Sequence, residues 1–198
     1  MLKNVQYLIS ETNPNTIGPA VAEVCFVGRS NVGKSTLLNA LCGRVLARVS
    51  RTPGRTRTIN IFSAGKDRWL VDLPGYGYAE VPKNERRDWG PMIEGYLSGR
   101  PNLRMIFCLI DAKVGPTPLD SQMHEWLVSQ NLPWRIVATK ADQVRSSEVK
   151  KQCQAIAHVF SLQPSDIAWV SASQGQGIQE LKTTVSRLLS TPSKTNYA

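Results

Sequence analysis

Short apolar runs alternate with amphipathic stretches along this chain. AVAEVCFV, INIF, RWLVD, MIFCLID, WRIVAT and IAWVSA have the Val- and Ile-rich character of strands, while TLLNALCG, MHEWLVSQ, VKKQCQAIAHVF and IQELKTTVSRLL space their apolar residues as helices do. Strands followed by helical stretches imply βαβ units and a largely parallel sheet. One pair departs from that rule. INIF and RWLVD are joined only by SAGKD, a hairpin-type turn, which makes them antiparallel neighbours at one edge. The expected fold class is α/β: a six-stranded, mostly parallel sheet with one antiparallel edge strand and helices on both faces, its ligand at the strands' carboxyl ends. No repeat or low-complexity tract interrupts the pattern. Residues 1–20, with the turn-rich NPNTIGP, read as an N-terminal extension, residues 21–190 as one domain, and residues 191–198 as a frayed, disordered tail.

Composition narrows the class. The length corresponds to about 1.3 average domains, and 41% hydrophobic with 20% charged residues suits a folded globule, not a disordered or fibrous chain. The longest apolar run, Met105 to Ile110, is far short of the ~20 residues of a spanning helix, so no membrane is expected. The start, MLKNVQYLIS, lacks the apolar stretch and cleavage site of a signal peptide. Cys25, Cys42, Cys108 and Cys153 stand far apart among apolar residues, which fits buried, reduced thiols and a cytoplasmic location. Charge changes the picture more: 24 Lys+Arg against 15 Asp+Glu leaves +9, which calls for an acidic partner. Arg44 to Arg57 alone holds five arginines and no acid.

The candidate chemistry begins where the first of the long strands ends. Gly28-Arg29-Ser30-Asn31-Val32-Gly33-Lys34-Ser35 fits the P-loop pattern G-x-x-x-x-G-K-[ST] between a strand and a helix. Its glycines let backbone N–H groups wrap a β-phosphate, and the helix N-terminus adds its positive end. Lys34 is placed to reach β/γ oxygens and Ser35 to bind Mg2+. Downstream, Asp72-Leu73-Pro74-Gly75 puts an acid at the end of an apolar strand and a glycine three residues later. The carboxylate there can hold the metal through water, and the Gly75 N–H can sense a γ-phosphate. Thr139-Lys140-Ala141-Asp142, after another strand, resembles the N-K-x-D element of GTP-binding proteins, in which the carboxylate accepts from guanine N1 and N2 and the lysine lies along the base. Val170-Ser171-Ala172 resembles the element whose backbone N–H meets guanine O6.

These elements in this order resemble a G domain of the Ras-like GTPase superfamily, with the P-loop NTPase fold. G-R-S-N-V-G-K-S, R-T-P-G-R-T-R-T-I-N (Arg51 to Asn60), D-L-P-G-Y-G-Y-A (Asp72 to Ala79) and T-K-A-D are similar to the EngB family, bacterial GTPases associated with assembly of the large ribosomal subunit. The resemblance covers about residues 20 to 190. It implies GTP/GDP as ligand, Mg2+ held by Ser35, Thr56 and Asp72, and a first switch that includes Gly54, Arg55, Thr56, Arg57 and Thr58. Thr56 is the metal-completing threonine on this likeness; the residues themselves do not choose among Thr52, Thr56 and Thr58. Thr139 replaces the superfamily asparagine, which costs one amide contact near the purine. Micromolar guanine affinity is expected, equivalent to about 8 kcal/mol.

Lys34, Thr56, Gly75 and Asn31 are the candidate catalytic residues. Ras-type enzymes orient the attacking water with a glutamine after D-x-x-G, and this chain has Tyr76 there. Either intrinsic turnover is slow and a partner stimulates it, or, as the resemblance to GTPases with G-x-x-N-x-G-K-S implies, Asn31 helps bind K+ in place of an arginine finger; bracing the loop is the other role open to Asn31. His124 and His158 stand alone in helical stretches, as face residues. Four tryptophans fall in apolar runs, and Trp89 follows Lys83, Arg86 and Arg87 near the second switch. Both nucleotide-sensing loops are thus basic, which suits ribosomal RNA phosphates contacted when GTP orders them. The implied function is a monomeric switch in large-subunit assembly, with a consequent role in cell division and septation. The alternative is a regulatory GTPase that acts on a protein partner in division without direct RNA binding.

Overall fold

The computed structural model describes residues 2–46, 58–77 and 89–191. Within them a seven-stranded sheet runs β1 (Gln6–Glu11), β3 (Ile59–Ser63), β4 (Arg68–Asp72), β2 (Ala22–Gly28), β5 (Leu103–Asp111), β6 (Trp134–Thr139) and β7 (Ala168–Trp169) across its width. β2, β4, β5, β6 and β7 are parallel, and β3 is antiparallel to β4, as the short SAGKD turn requires. β2 is buried along its whole length. A central strand covered on both faces can be apolar without alternation, and AEVCFVG is.

The fold class matches the sequence pattern, with one strand more than six. That strand comes from the segment read as an extension: β1 pairs antiparallel with β3 and becomes the edge. Its register passes from Tyr7 opposite Phe62 to Ile9 opposite Ile61, so Leu8 is an extra, bulged residue. A bulge breaks the two-residue period, and Tyr7, Leu8 and Ile9 are all well exposed; the alternation that reveals a strand is absent.

Helices cover both faces. α1 (Lys34–Cys42) and α5 (Ile178–Ser190) pack on one apolar cluster that includes Phe26, Leu70, Phe107 and Val185. The other cluster unites Ile93, Tyr96 and Leu97 of α2 (Trp89–Ser98) with Met123 and Leu127 of α3 (Pro118–Ser129) and Ile156 of α4 (Val149–Val159). α2 carries Gly90, Pro91 and Gly95, which hide it from a propensity reading. Pro91 is harmless in the first turn, where no intrahelical N–H bond is due.

At the amino ends of the strands Arg100 fastens the N-terminal segment. Its guanidinium pairs with the buried Glu23, donates to the Ile17 carbonyl at 3.0 Å and the Gly18 carbonyl at 2.7 Å, and stacks over Trp69 and Tyr96. Cys25, Cys42 and Cys108 are buried and Cys153 is half-buried, all four as free thiols. Burial pushes the Cys42 thiol up to about 11, which removes it from nucleophilic chemistry. His158 is exposed. His124 packs edge-on against Trp134 and Phe160, and burial lowers its pKa, so it is a packing residue more than a face residue. No described helix is long and apolar enough to cross a membrane.

Candidate functional site

The loops that follow β2, β4, β5, β6 and β7 meet at the carboxyl ends of the strands. The P-loop starts at Gly28, where a side chain would meet Val32 Cγ1 at 2.9 Å and the Leu109 carbonyl at 3.0 Å. Asn31 (φ 65°) and Gly33 (φ 100°) then turn the chain through the left-handed region. α1 opens at Lys34 with no capping side chain, and its first backbone bond runs from the Leu37 N–H to the Gly33 carbonyl at 2.9 Å. Uncapped first-turn amides and the positive end of the helix dipole make an anion site.

Charge is arranged around that site. Lys34 Nζ donates to Asp72 Oδ1, and both side chains are buried. Asp72 ends β4, opposite Phe26 of β2 and Asn60 of β3. Ser35 follows in the first turn of α1, half-buried. Beyond Asp72 the chain remains against the P-loop: the Leu73 N–H donates to the Phe26 carbonyl at 3.1 Å, and Leu73 and Pro74 are buried. Gly75 lies so close to Ser30 that a Cβ would stand 3.1 Å from its backbone nitrogen.

Tyr76 is 1% exposed and donates its hydroxyl to Asp120 Oδ1 at 2.8 Å. Burial and the Asp120 carboxylate both raise the phenol pKa well above its ordinary value. The residue after D-x-x-G therefore points into the protein, toward α3.

The third group gathers after β6. The Thr139 hydroxyl lies 2.6 Å from the Val32 carbonyl and 3.1 Å from that of Ile110. One hydrogen serves the shorter contact fully, so Thr139 ties its strand to the P-loop. Lys140 (φ 56°) donates to the Asn31 carbonyl and to Asp111 Oδ2, each at 2.7 Å. The Ala141 N–H donates to the Val170 carbonyl at 3.1 Å, which joins this loop to the one after β7. There the Ser171 hydroxyl donates to Asp142 Oδ1 at 2.5 Å. That bond, the largest influence, holds the exposed Asp142 carboxyl below its ordinary pKa, with desolvation opposing it. The Ser171 N–H is spent on the Gln176 carbonyl at 3.0 Å, so it is not the amide that would meet a base oxygen.

Gly28 to Ser35, Asp72 to Gly75, Thr139 to Asp142 and Val170 to Ala172 thus share one rim. Of the three candidate threonines only Thr58 lies among the described residues, and its hydroxyl is 3.2 Å from Asn60 Oδ1. Gly54, Arg55, Thr56 and Arg57 lie outside the described residues, as do Lys83, Arg86, Arg87 and the Trp89 side chain. Two carboxylates escaped the sequence reading. Asp111 closes β5 beneath Lys140, in the same strand-end position as Asp72, a signal that was legible in MIFCLID. Asp120 belongs to T-P-L-D, a readable helix-start pattern.

Comparison with known proteins gives the family. Residues 23–140 match a family described as 50S ribosome-binding GTPase. A probable GTP-binding protein EngB of Thermotoga maritima is 47% identical over 172 residues, which cover 86% of this chain and 88% of the relative. Among solved structures, a probable GTP-binding protein engB superposes with a TM-score of 0.70 at 26% identity, covering 85% of this chain and 98% of that one. Era in complex with MgGDPNP and a segment of 16S ribosomal RNA superposes with a TM-score of 0.64 at 27% identity, covering 87% of this chain and 58% of Era. A P-loop set in this sheet, matched over most of its length, leaves one assignment: the chain belongs to the EngB family of GTP-binding proteins, within the ribosome-binding GTPases.

Proposed function

We propose that the protein binds GTP with Mg2+ at this rim, hydrolyses it slowly, and uses the GTP–GDP difference as a switch in assembly of the large ribosomal subunit. The observation that carries the reading is the convergence of an uncapped helix N-terminus, the buried Lys34–Asp72 pair and the Asp142 carboxylate on one opening. Lys34 takes phosphate oxygens, the P-loop amides wrap the β-phosphate, and the Gly75 N–H receives the γ-phosphate. Asp142 accepts from the guanine N1 and N2 groups, which adenine does not offer. Ser35, Thr56 and Asp72 are hard oxygen donors of the kind Mg2+ takes, and Asp72 stands beside the phosphate-binding lysine, so the residues fit that ion. When bound, the ion would supply charge neutralisation at the phosphate oxygens.

Ribosomal RNA is the proposed acidic partner. The net charge of +9, with Arg48, Arg51, Arg55 and Arg57 beyond Arg44, which donates to the Val5 carbonyl, supports contact with phosphates through loops that GTP orders. A role in division and septation then follows from ribosome supply. Co-sedimentation with ribosomal subunits in GDP, GTP and a non-hydrolysable analogue, across a salt series, tests this. Large-subunit binding in the triphosphate states, falling steeply with salt, is expected. Binding that ignores the nucleotide overturns it and favours a protein partner.

For hydrolysis, the burial of Tyr76 supports slow intrinsic turnover, with Asn31 as the residue through which K+ acts. Its carbonyl braces the loop through Lys140, while its side chain is exposed. Faster hydrolysis in K+ than in Na+, lost in Asn31→Ala, is expected; equal rates in both salts remove the ion from the mechanism.

A further inference from the structure

The first turn of α3 holds a carboxylate with partners from three segments. Asp120 Oδ2 accepts from the Thr117 N–H at 2.8 Å and the Thr117 hydroxyl at 2.7 Å, closing a capping box. The same oxygen lies 3.5 Å from Arg29 Nε of the P-loop, and Oδ1 accepts from the Tyr76 hydroxyl at 2.8 Å. Asp120 is 3% exposed. A helix cap needs only one of these oxygens and is normally content at the surface. Burying the second oxygen is worthwhile where a charge-assisted bond fills it, and Tyr76 supplies that bond.

The two segments that Asp120 joins are also zipped together through their backbones. The Ser30 N–H donates to the Tyr76 carbonyl at 2.9 Å, and the Tyr76 N–H to the Gly28 carbonyl at 3.3 Å. Gly75 lies against Ser30 just before this zipper. Just after it Gly77 (φ 76°) passes so near Leu119 of α3 that a Cβ would stand 2.9 Å from Cδ1. The chain around Tyr76 is thus clamped between the P-loop on one side and α3 on the other.

We propose that Asp120 is a positioning residue for the triphosphate: through Tyr76 it holds the Gly75 amide against the P-loop mouth, and so sets the preference for GTP over GDP. This rests on the reading of Gly75 as the γ-phosphate donor. GDP has no γ-phosphate, so the clamp contributes nothing to GDP binding. Tyr76 serves the site from beneath, as a strut.

The test is the affinity of the whole protein for GDP and for a non-hydrolysable GTP analogue, with single-turnover GTP hydrolysis alongside. Tyr76→Phe removes the hydroxyl. Asp120→Asn keeps the size and replaces one acceptor by a donor. Thr117→Ala weakens the cap and leaves the Tyr76 bond. In the first two variants analogue affinity should fall about fivefold, the worth of one hydrogen bond, while GDP affinity is unchanged; Thr117→Ala should leave the ratio of the two affinities alone. Equal loss of both nucleotides in Tyr76→Phe, or loss of neither, in a protein with unchanged circular dichroism, overturns the proposal. Failure of the unaltered protein to prefer guanine over adenine nucleotides would overturn the functional reading beneath it instead.

Discussion

The proposed base-reading end and the proposed phosphate end of the rim are built differently. After β6 and β7 the polar groups already have partners inside the protein: Thr139 on Val32, Lys140 on Asn31 and Asp111, and Asp142 on Ser171. At the phosphate end Lys34 is held by Asp72, and the first turn of α1 has no cap. A base entering the first finds donors and an acceptor already aimed, with little side-chain freedom left to lose. On the proposed function, a phosphate entering the second would take over a lysine that otherwise neutralises a buried acid. On that reading one end is preformed, the other would exchange partners, and only the second would respond to how much negative charge arrives.

Breaking the exchanging end should have the largest effect. Lys34→Ala strands a buried carboxylate, so unfolding stability should fall by about 3 kcal/mol in urea titrations, together with loss of triphosphate binding. Adding Asp72→Asn to that variant should recover part of the stability and none of the binding, which separates the two roles of the lysine. Asp142→Ala should come next. The side chain is exposed, so the fold survives, while guanine affinity drops by about 3 kcal/mol, on the order of a hundredfold, in competition against adenine nucleotides. Retained guanine preference would end the base assignment.

Thr139→Val tests whether the preformed end supports the exchanging one. It removes the donor to the Val32 carbonyl at constant shape, and should weaken GDP and GTP equally, by about 1 kcal/mol in calorimetry. A loss confined to GTP would mean that the tie acts on the γ-phosphate side. Ser171→Ala should have the smallest effect. The Ser171 hydroxyl holds the Asp142 pKa below its ordinary value, and the ionised form is the one proposed to read guanine. Binding therefore persists above the ordinary carboxyl pKa of about 3.9 and is lost only as pH falls through the lowered one. Without the hydroxyl that point moves up, which carbon-13 NMR of the Asp142 carboxyl would register.

Much of this was readable in advance. The P-loop needs glycines, a lysine and a hydroxyl at set spacings, and the physics of wrapping a phosphate leaves few alternatives. The hairpin of β3 and β4 was legible because five residues leave no room for a crossover. β1 was not, because its bulge at Leu8 spoils the alternation and its neighbours are exposed. α2 was hidden by its glycines and proline. Tyr76 shows the limit most clearly: its position says only that a water-orienting glutamine is missing, and nothing local to D-L-P-G-Y reveals that its hydroxyl turns inward to α3.

The sequence by itself therefore determined the sheet class, the phosphate-binding loop, the strand-end acids and the basic excess, since each depends on residues close together in the chain. Tertiary structure alone decided which groups those residues meet. Lys34 and Asp72 lie 38 positions apart, Tyr76 and Asp120 44, and Thr139 and Val32 107. Contacts at such separations follow from how strands and helices stack, and no local pattern encodes them. The preformed base end and the clamp beneath Gly75 both arise from that stacking.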